Sequence, residues 1–402
     1  MAVDFKVIVI GRGMMGAAAA RHLSGMIDGI ALIGPGEPSD RKNHQGVFAS
    51  HYDEACITRT FDDNMVWATL ADRSLDRYAD IEARSGISFF SEVGCLFAGP
   101  KPRAGEGYLG RALDVAGVLD LDVETLDPAT LRGRFPQFNI DGSFHGFFQE
   151  RRAGHINPRA LVRAQSTLAQ AGGVEVIDAT VTGVRDVGSY VEVEVEVGGK
   201  TYSAERILVA AGGFTNFNSL LPEPVDVRVA ARTVVFFELG ERELETFGSM
   251  PAAIVFGETD DDHVYILPPV PYPDGKTYLK LGGDTEAQVF ETLESAGEWF
   301  RSEGNPSERD IIAATAQTLM PGLAGCPISS ASCVATFTRT AYPYAGFTAS
   351  SRIAVLTGGN FVAAKSSDEI GRLGAVLMTD GVLGPENFGE QLTPVMRASH
   401  GR

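Results

Sequence analysis

Three glycines near the start of the chain are the first residues whose spacing points to chemistry. They stand in Gly11-Arg-Gly-Met-Met-Gly16, after an apolar β-branched run and before an alanine-rich helical pattern. Gly11 permits a tight turn, Gly13 lets a diphosphate approach the backbone, and Gly16 lets the helix lie close to the strand. The free N–H groups at a helix N-terminus also attract phosphate. The turn therefore predicts a dinucleotide site formed by Gly11, Gly13, Met14, Met15 and Gly16.

The elements around this turn have the order of one βαβ unit. Lys6–Ile10 is continuous and β-branched, which is typical of a buried parallel strand. Met14–Leu23 predicts a helix, and the apolar run Gly29–Ile33 predicts a second strand. Together they occupy about 30 residues, the length that such a unit needs.

A ribose-binding acid is expected at the end of the second strand of a dinucleotide fold. That position is Gly34 in this chain, and Glu37 and Asp40 lie a few residues further on. Glu37 is the candidate for the ribose contact. The alternative, that both acids are solvated loop residues, stays open.

The later buried strands distinguish between the possible dinucleotides. Apolar, parallel-type runs return at Val174–Ile177, within Arg206–Gly213 and at Ile353–Leu356, and glycines end the last two. An NAD-binding sheet would instead continue with consecutive βαβ units. Separated segments with late glycine turns are what an interleaved FAD domain requires. We therefore expect further FAD contacts at Ala211, Gly212, Gly359, Asn360 and Lys365.

The middle of the chain has a different pattern. Strand-like segments with many prolines and turns dominate from about residue 216 to 325, among them Arg232–Glu238, Val264–Leu267 and Thr277–Gly282. The predicted fold class is α/β with mixed α+β character: a Rossmann-like FAD-binding domain assembled from separated segments, with an inserted antiparallel β-sheet substrate domain. We assign residues 1–85, 145–215 and 326–402 to the FAD-binding domain, and residues 86–144 and 216–325 to the substrate-binding domain.

Composition argues against several kinds of partner. The net charge of −18 repels nucleic acid and anionic lipid. No apolar run approaches the roughly 18 residues that cross a bilayer, and the N-terminus lacks the pattern of a signal peptide. The four cysteines have no paired spacing, which indicates free thiols in a reducing compartment. We therefore expect a cytoplasmic protein without a metal, a nucleic-acid partner or a membrane span.

Beyond these patterns, the chain resembles the D-amino-acid-oxidase-like flavoproteins, and most closely their sarcosine oxidase and N-methyl-amino-acid oxidase branch. The likeness runs nearly end to end and rests on the shared order of six blocks: VIVIGRGMMG near the N-terminus, SHYDEACITR at 50–59, GHINPRALV at 154–162, ILVAAGGF at 207–214, YLKLGGDT at 278–285 and TGGNFVAAKSSDEIG at 357–371. The resemblance implies an FAD domain with a β-sheet domain over the flavin. It also implies oxidation of the C–N bond of an amine or amino acid.

The resemblance further implies contacts for individual residues. Ser50 and His51 match the part of their block that lies along FAD, and Val181 matches the residue whose backbone meets the adenine. Arg59 and Lys365 match the basic pair that binds a substrate carboxylate in the sarcosine oxidase branch.

Two matches concern the reacting centre itself. Lys280 matches the lysine near flavin N5 that assists the reaction with oxygen, and Tyr265 falls close to an active-site tyrosine. A purely structural interpretation of each candidate stays open. The lysines could be solvated, Tyr265 could pack in a sheet, and Arg59 could form a salt bridge with Asp53, Asp62 or Asp63.

Three positions depart from the sarcosine oxidase branch. Cys56 stands where that branch has an arginine, Asp284 where it has an active-site histidine, and Ala335 where it has the cysteine that is bonded to the flavin; Cys333 comes two residues earlier. The resemblance with this departure implies noncovalent FAD. Asp284 is a candidate catalytic residue, either pairing with a cationic amine or acting as a base with a raised pKa, unless it is a turn residue.

Flavin-dependent amine oxidation moves a hydride from the carbon next to nitrogen to flavin N5. The protein then has to place that carbon, keep the amine unprotonated and exclude water. The predicted function is oxidation of a small amino acid or secondary amine to an imine that hydrolyses, with oxygen or another electron acceptor. An FAD-dependent 2-hydroxy-acid dehydrogenase, a non-catalytic flavin-binding subunit and an NAD-dependent dehydrogenase are the alternatives.

Overall fold

The computed structural model describes residues 3–257, 263–283 and 288–398. The predicted site residue Asp284 lies outside these ranges. The helices of the described chain are α1 (Met14–Ser24), α2 (Met65–Ser85), α3 (Gly107–Val118), α4 (Pro128–Arg134), α5 (Pro158–Ala171), α6 (Glu241–Phe247), α7 (Leu293–Arg301), α8 (Pro306–Leu319) and α9 (Ser367–Asp380).

The strands fall into two large sheets and one small one. They are β1 (Phe5–Ile10), β2 (Ile30–Ile33), β3 (Cys56–Thr58), β4 (Phe90–Ser91), β5 (Cys95–Gly99), β6 (Glu124–Leu126), β7 (His145–Gln149), β8 (Gly154–Ile156), β9 (Glu175–Ile177), β10 (Val181–Asp186), β11 (Val191–Val195), β12 (Thr201–Val209), β13 (Val227–Glu238), β14 (Ala252–Phe256), β15 (His263–Pro271), β16 (Thr277–Gly283), β17 (Val289–Phe290), β18 (Ile328–Thr338), β19 (Tyr344–Phe347) and β20 (Ile353–Thr357).

The first sheet is built on five parallel strands in the order β9-β2-β1-β12-β20. Strands β10 and β11 form an antiparallel meander on the first half of β12, and β19 pairs antiparallel with β20. Strands β2 and β20 and the C-terminal parts of β1 and β12 are buried, which explains their continuous apolar sequences, whereas β9 is partly exposed. Separated segments of the chain therefore share one sheet.

Helices α1, α5 and α9 cover this sheet, and the small residues of α1 make the contact close. A Cβ on Gly371 of α9 would lie 2.4 Å from the Cβ of Ala18 in α1. The alanine-rich sequence of α1 thus follows from its position between the sheet and α9. The cap predicted for α5 is also present, because Asn157 accepts a hydrogen bond from the N–H of Ala160.

The second sheet is mainly antiparallel, with the order β17-β13-β16-β15-β14-β5-β7-β6, and β18 pairs with β13. The β13–β18 pair is the longest and joins Val227–Glu238 to Ile328–Thr338. A small third sheet, β3-β8-β4, holds the segment that continues to Arg59. The predicted fold class, a parallel α/β sheet from separated segments with a largely antiparallel second sheet, is confirmed.

Some local expectations differ from the structure. The strands β7 and β18 pair in the second sheet, although the predicted division assigned both to the FAD-binding domain. Helices α6, α7 and α8 interrupt the region that was expected to be mostly strands. The serine- and alanine-rich sequence of β18 carries no clear alternation, so only its long pairing with β13 reveals it. The exact domain boundaries stay a prediction.

Candidate functional site

A long cavity connects the two large sheets. At one end, which we call the glycine end, Gly11, Gly34 and Ala210 line it, and each directly follows a strand of the parallel sheet. At the other end, the lysine end, Tyr265 and Lys280 line it from the second sheet. Open α/β sheets bind ligands at the carboxyl ends of their strands, so the glycine end is where a dinucleotide belongs.

The first glycine turn has the shape that a diphosphate requires. Gly11 has φ +107°, and a Cβ there would lie 2.3 Å from the carbonyl oxygen of Ala210. A Cβ on Gly16 would lie 1.9 Å from the carbonyl oxygen of Gly11, so both positions need glycine for packing alone. At Gly13 a Cβ would meet only the Nδ1 of His51, at 3.8 Å. There is therefore open space beside Gly13 on the cavity side, and Met14 and Met15 of the same turn line the cavity.

The helix that follows has no side chain to cap its first turn. Gly13 is the N-cap of α1 and supplies no side-chain acceptor. The first N–H groups of an α-helix have no partner within the helix. Their partial positive charge and their open surroundings fit an anionic diphosphate.

The absence of an acid after β2 has a steric cause. A Cβ on Gly34 would lie 2.7 Å from the backbone nitrogen of Arg12. Glu37, the predicted ribose contact, forms a two-pronged ion pair with Arg159, with N···O distances of 2.6 and 2.8 Å. Arg159 also donates to Glu54 at 2.8 Å. Glu37 is not among the described residues that line the cavity, so its role as a ribose ligand stays a prediction.

The far side of the glycine end is formed by the start of β10 and the segment after β12. Val181 lines the cavity, and its carbonyl oxygen accepts a hydrogen bond from Asn218 at 3.4 Å. Ala211 and Gly212 line it as well, and Gly212 has φ +54° with open space where a Cβ would stand. These predicted residues come together although they are separated by 30 positions of sequence.

A second glycine turn, at 358–361, closes the cavity beside the first one. The N–H of Gly359 donates to the hydroxyl of Thr336 at 3.0 Å. Asn360 braces the turn from behind: its side chain donates to the carbonyl of Gly358 at 2.8 Å and accepts from the N–H of Thr338 at 2.9 Å. Asn360 is thus a support for the turn, and it is not in the described lining.

The conformation of this turn is costly for one of its residues. Phe361 has φ +65°, which a bulky side chain rarely adopts. Such strain persists only where the surroundings over-determine the backbone, and it concentrates at functional sites. Phe361 lines the cavity, so the strained residue presents its ring to the space where a ligand would lie.

Ser50 and His51 line the middle of the cavity. The hydroxyl of Ser50 donates to the carbonyl oxygen of Val334 at 3.0 Å, which ties this loop to β18. Burial lowers the pKa of His51 to about 4, so the imidazole is neutral near pH 7. A neutral ring can donate one hydrogen bond and accept another.

At the lysine end, Lys280 forms a buried ion pair that the sequence analysis missed. Its ammonium group lies 2.5 Å from Oδ2 of Asp53 and donates to the carbonyl oxygen of Ala55. The other oxygen of Asp53 accepts from the hydroxyl of Tyr272 at 2.7 Å. Burial alone would lower the pKa of Lys280, but Asp53 outweighs it and the pKa is raised well above its usual value.

Lys280 is therefore a fixed cation in the cavity wall. Leu279 and Leu281, its neighbours on β16, belong to the core of the second sheet, and the alternation of the strand directs Lys280 to the other face. Asp53 belongs to the SHYDEACITR block, but its pairing across 227 positions had no local signal.

Tyr265 lines the same end of the cavity, next to Phe361. Their ring centroids are 5.7 Å apart in an edge-to-face arrangement. A Cβ on Gly282 would lie 2.3 Å from the hydroxyl of Tyr265, so this glycine makes room for the ring. Burial raises the pKa of Tyr265, and the phenol stays protonated.

The structure brings Arg59 and Lys365 together, but on an internal acid. Both donate to Oδ2 of Asp62, at 3.2 and 2.9 Å. All three side chains are buried. Burial lowers the pKa of Lys365 to about 8, an effect that Asp62 partly offsets. Neither Arg59 nor Lys365 is among the described residues that line the cavity.

Two thiols and one methyl group line the lysine end of the cavity, and they bear on whether the flavin could be bonded to the protein. Cys56, Cys333 and Ala335 all face the cavity. Burial raises the pKa of Cys56 to about 12 and also raises the pKa of Cys333, so both are protonated near pH 7. The thiolate is the nucleophilic form of cysteine, and these thiols are therefore poorly reactive.

Two other features are absent from the described ranges. There, no helix is long and apolar enough to cross a membrane. In the same residues, no group of three or more His, Cys, Asp or Glu side chains is placed to hold a metal ion.

Comparison with known proteins identifies the family. The family model described as FAD dependent oxidoreductase matches residues 6–377. The monomeric sarcosine oxidase of Arthrobacter sp. (strain TE1826) is 25% identical over 332 residues, which are 80% of this chain and 78% of that protein. The N-methyl-L-tryptophan oxidase of Yersinia pestis (strain Pestoides F) is 27% identical over 293 residues, 72% of this chain and 73% of that protein.

The fold comparison agrees with the family match. The open form of NikD, described as an unusual amino acid oxidase essential for nikkomycin biosynthesis, superposes with a TM-score of 0.78 at 19% identity and covers 100% of both chains. The chain belongs to the family of FAD-dependent oxidoreductases. The predictions of this family, of its flavin-enzyme class and of FAD as the cofactor are thereby confirmed.

Proposed function

We propose that this protein binds FAD noncovalently along the cavity and oxidises the C–N bond of a small amine or amino acid. The observation that carries the proposal is the continuity of the cavity, from the turn at Gly11–Gly16 to Tyr265 and Lys280. The names of the sarcosine and N-methyl-L-tryptophan oxidases, which match along most of their length, support an amine as the substrate.

The residues present fit the cofactor. Gly13, Met14 and Met15 offer the helix N-terminus to a diphosphate. Val181 borders the space for an adenine, and Ala211 and Gly212 border the next part of the same groove. Ser50, His51 and Gly359 also line the cavity, and we propose Glu37, which Arg159 holds by an ion pair, for the ribose contact.

When bound, FAD supplies a hydride acceptor, which turns an amine into an imine that water then hydrolyses. The chain's own residues have to orient the substrate and control charge. Tyr265 holds a protonated hydroxyl at the lysine end, and Phe361 presents an apolar face beside it. Lys280 contributes a positive charge that Asp53 holds in one position. Fixed charges in a dry site act strongly and need no reorganisation during the reaction.

Noncovalent binding is supported by the chemistry of Ala335, which stands at the attachment position of the sarcosine oxidase branch, and of the two thiols that line the same end of the cavity. Ala335 has no nucleophile, and the thiols of Cys56 and Cys333 are protonated. Acid precipitation of the yellow holoprotein is expected to leave the colour in the supernatant. A yellow pellet that turns colourless in Cys333→Ala would instead reveal a bond to Cys333.

The electron acceptor and the location of the protein complete the proposal. Lys280 supports oxygen as the acceptor, because a fixed cation stabilises negative charge that develops on reduced oxygen. We further propose that the enzyme acts in the cytoplasm, where its four unpaired thiols would stay reduced.

Anaerobic mixing of the holoprotein with a panel of candidate substrates tests the proposed reaction. The panel holds secondary amines, D- and L-amino acids, N-methyl amino acids and 2-hydroxy acids. We expect at least one amine to bleach the visible flavin absorption and to release the matching carbonyl product. Bleaching by the 2-hydroxy acids alone would transfer the assignment to hydroxy-acid oxidation. Admission of air and measurement of hydrogen peroxide then separate an oxidase from a dehydrogenase.

A further inference from the structure

A buried cluster of three charged residues lies behind the lysine end of the cavity. Arg59 and Lys365 both donate to one oxygen of Asp62, Oδ2, at 3.2 and 2.9 Å. The exposed fractions of Arg59, Asp62 and Lys365 are 5%, 3% and 1%. A single internal carboxylate therefore serves two cations that water does not reach.

The other contacts of Arg59 and Lys365 are also with residues of this chain. The second terminal nitrogen of Arg59 donates to the hydroxyl of Tyr108 at 2.9 Å, and the guanidinium lies 5.1 Å from the ring centroid of Phe97. Lys365 donates to the carbonyl oxygen of Trp67 at 3.3 Å. The contacts of the cluster thus come from within the chain, although Nε of Arg59 is buried without a hydrogen-bond partner among the described residues.

The cluster is connected to the cavity wall by the chain segments that carry its two cations. Ala363 and Ala364 line the cavity and directly precede Lys365 in the chain. Cys56 lines it three residues before Arg59. Both cations therefore belong to segments whose neighbouring residues line the cavity.

A ligand carboxylate would have to compete with Asp62 for the two cations. Asp62 is attached to the chain three residues from Arg59, so its local concentration stays high at every ligand concentration. A displaced Asp62 would remain buried without a counter-ion, which is strongly unfavourable. An amine without a carboxylate binds without competing with Asp62 and without leaving its buried charge unpaired.

We propose that Asp62 determines substrate specificity: it pairs with Arg59 and Lys365 from within the chain, and it favours amines that carry no carboxylate beside the reacting carbon. The inference rests on the proposed function, because it concerns the substrate of the same cavity. It replaces the expectation that Arg59 and Lys365 bind a substrate carboxylate.

A binding titration tests this without any turnover. Phenylacetate and phenylacetamide differ only in the charge of one group, and their binding is followed by the visible flavin spectrum of the holoprotein. The wild type is expected to bind phenylacetate no more tightly than phenylacetamide. In Asp62→Ala the two cations are free, and the affinity for phenylacetate is expected to rise at least about tenfold, a free-energy change of about 1.4 kcal/mol.

Two further variants make the titration decisive. Asp62→Asn keeps the volume of the side chain and removes its charge, so the same rise is expected if Asp62→Ala does not fold. Asp80→Asn is the matched control, because Asp80 pairs with Arg84 at the exposed surface of α2 and should leave both affinities unchanged. Wild-type affinity for phenylacetate in the folded Asp62 variant would overturn the inference. So would tighter binding of phenylacetate than of phenylacetamide by the wild type.

Reduction of the flavin by N-methylphenethylamine and by both enantiomers of N-methylphenylalanine extends the test to catalysis. The wild type is expected to prefer the amine without the carboxylate, and the Asp62 variants to shift this preference at least about tenfold towards the amino acid. Failure of every amine to reduce the flavin would refute the proposed amine oxidation. The titration with phenylacetate would still decide the role of Asp62.

Discussion

Each buried cation at or behind the lysine end of the cavity contacts a carboxylate of the same chain. Lys280 is bound to Asp53, and Arg59 and Lys365 share Asp62. Removing one partner of a buried ion pair leaves the other without compensation and is costly, typically about 3–5 kcal/mol. Each pair therefore has a structural role as well as any role in the reaction, and experiments have to separate the two.

Replacement of Lys280 by methionine is expected to slow the reoxidation of the reduced protein by oxygen at least about tenfold, equivalent to about 1.4 kcal/mol in the barrier. The reason is the loss of the fixed positive charge in the cavity wall. Stopped-flow mixing of the anaerobically reduced protein with oxygenated buffer measures this rate.

The matched control is Lys276→Met, since Lys276 lies four residues away on the same hairpin and pairs with Glu238 at the surface. The double variant Lys280→Met/Asp53→Asn removes both charges and should recover stability without recovering the oxygen rate. Equal reoxidation rates in the wild type and in Lys280→Met would contradict the proposed role.

At the scale of elements, Gly13 and Gly16 have different roles in the unit formed by the first glycine turn and α1. Gly13→Ala places a methyl group in open space beside the cavity, whereas Gly16→Ala drives a methyl group into the carbonyl of Gly11. We expect Gly13→Ala to fold with near wild-type stability and to bind FAD at least about tenfold more weakly, equivalent to about 1.4 kcal/mol. Flavin fluorescence titration of the apoprotein measures the affinity.

Gly16→Ala serves as the comparison and is expected to lower the stability of the apoprotein itself. Chemical unfolding of both apoproteins separates the two effects. Equal losses of stability in the two variants would show that both glycines serve packing alone and that Gly13 has no separate role in FAD binding.

The start of α9 holds the helical layer of the parallel sheet together. Asp368 is buried and accepts from Arg21 of α1 and from Gln165 of α5, both at 2.7 Å, and it also pairs with Arg77 of α2. Its basic partners lower the pKa of Asp368 despite burial. This group therefore stabilises the fold above its unfolded-state pKa, and that contribution is lost as the pH falls towards the lowered value.

Asp368→Asn is expected to lower the free energy of unfolding by about 3–5 kcal/mol, because several cations lose their buried counter-ion. Urea unfolding followed by circular dichroism measures it. Asp380→Asn, at the exposed far end of the same helix, is the control and should change stability by less than about 0.5 kcal/mol. A small effect in Asp368→Asn would mean that the neighbouring Glu369 can serve the same cations alone.

At the scale of the whole molecule, the cavity joins the two large sheets, so a bound dinucleotide would contact both. Binding to the folded state alone stabilises it, by about 2.7 kcal/mol when the free ligand is at 100 times its Kd. We expect FAD to raise the unfolding temperature of the apoprotein, and FMN to raise it less because the glycine end stays partly empty. Differential scanning calorimetry gives both values, and an equal shift with FMN would contradict the assignment of the glycine end.

Much of the architecture could be predicted because its signals are local. Five apolar runs, most of them followed by glycines, indicated a parallel sheet from separated segments, and the structure pairs them as β9-β2-β1-β12-β20. The cap at Asn157 and the packing role of Gly16 also follow from residue type and spacing. The strand β18 was missed because its pairing with β13 compensates for a weak pattern of its own.

The amino-acid sequence by itself determined the cofactor turn, since backbone geometry at Gly11, Gly13 and Gly16 depends on residues within one short segment. Only the tertiary structure decided which acid each basic side chain meets. Asp53 reaches Lys280 across 227 positions, and Asp62 rather than a ligand occupies Arg59 and Lys365. Coulomb interactions depend on distance in space and on exclusion of water. Neither quantity follows from the order of the residues alone.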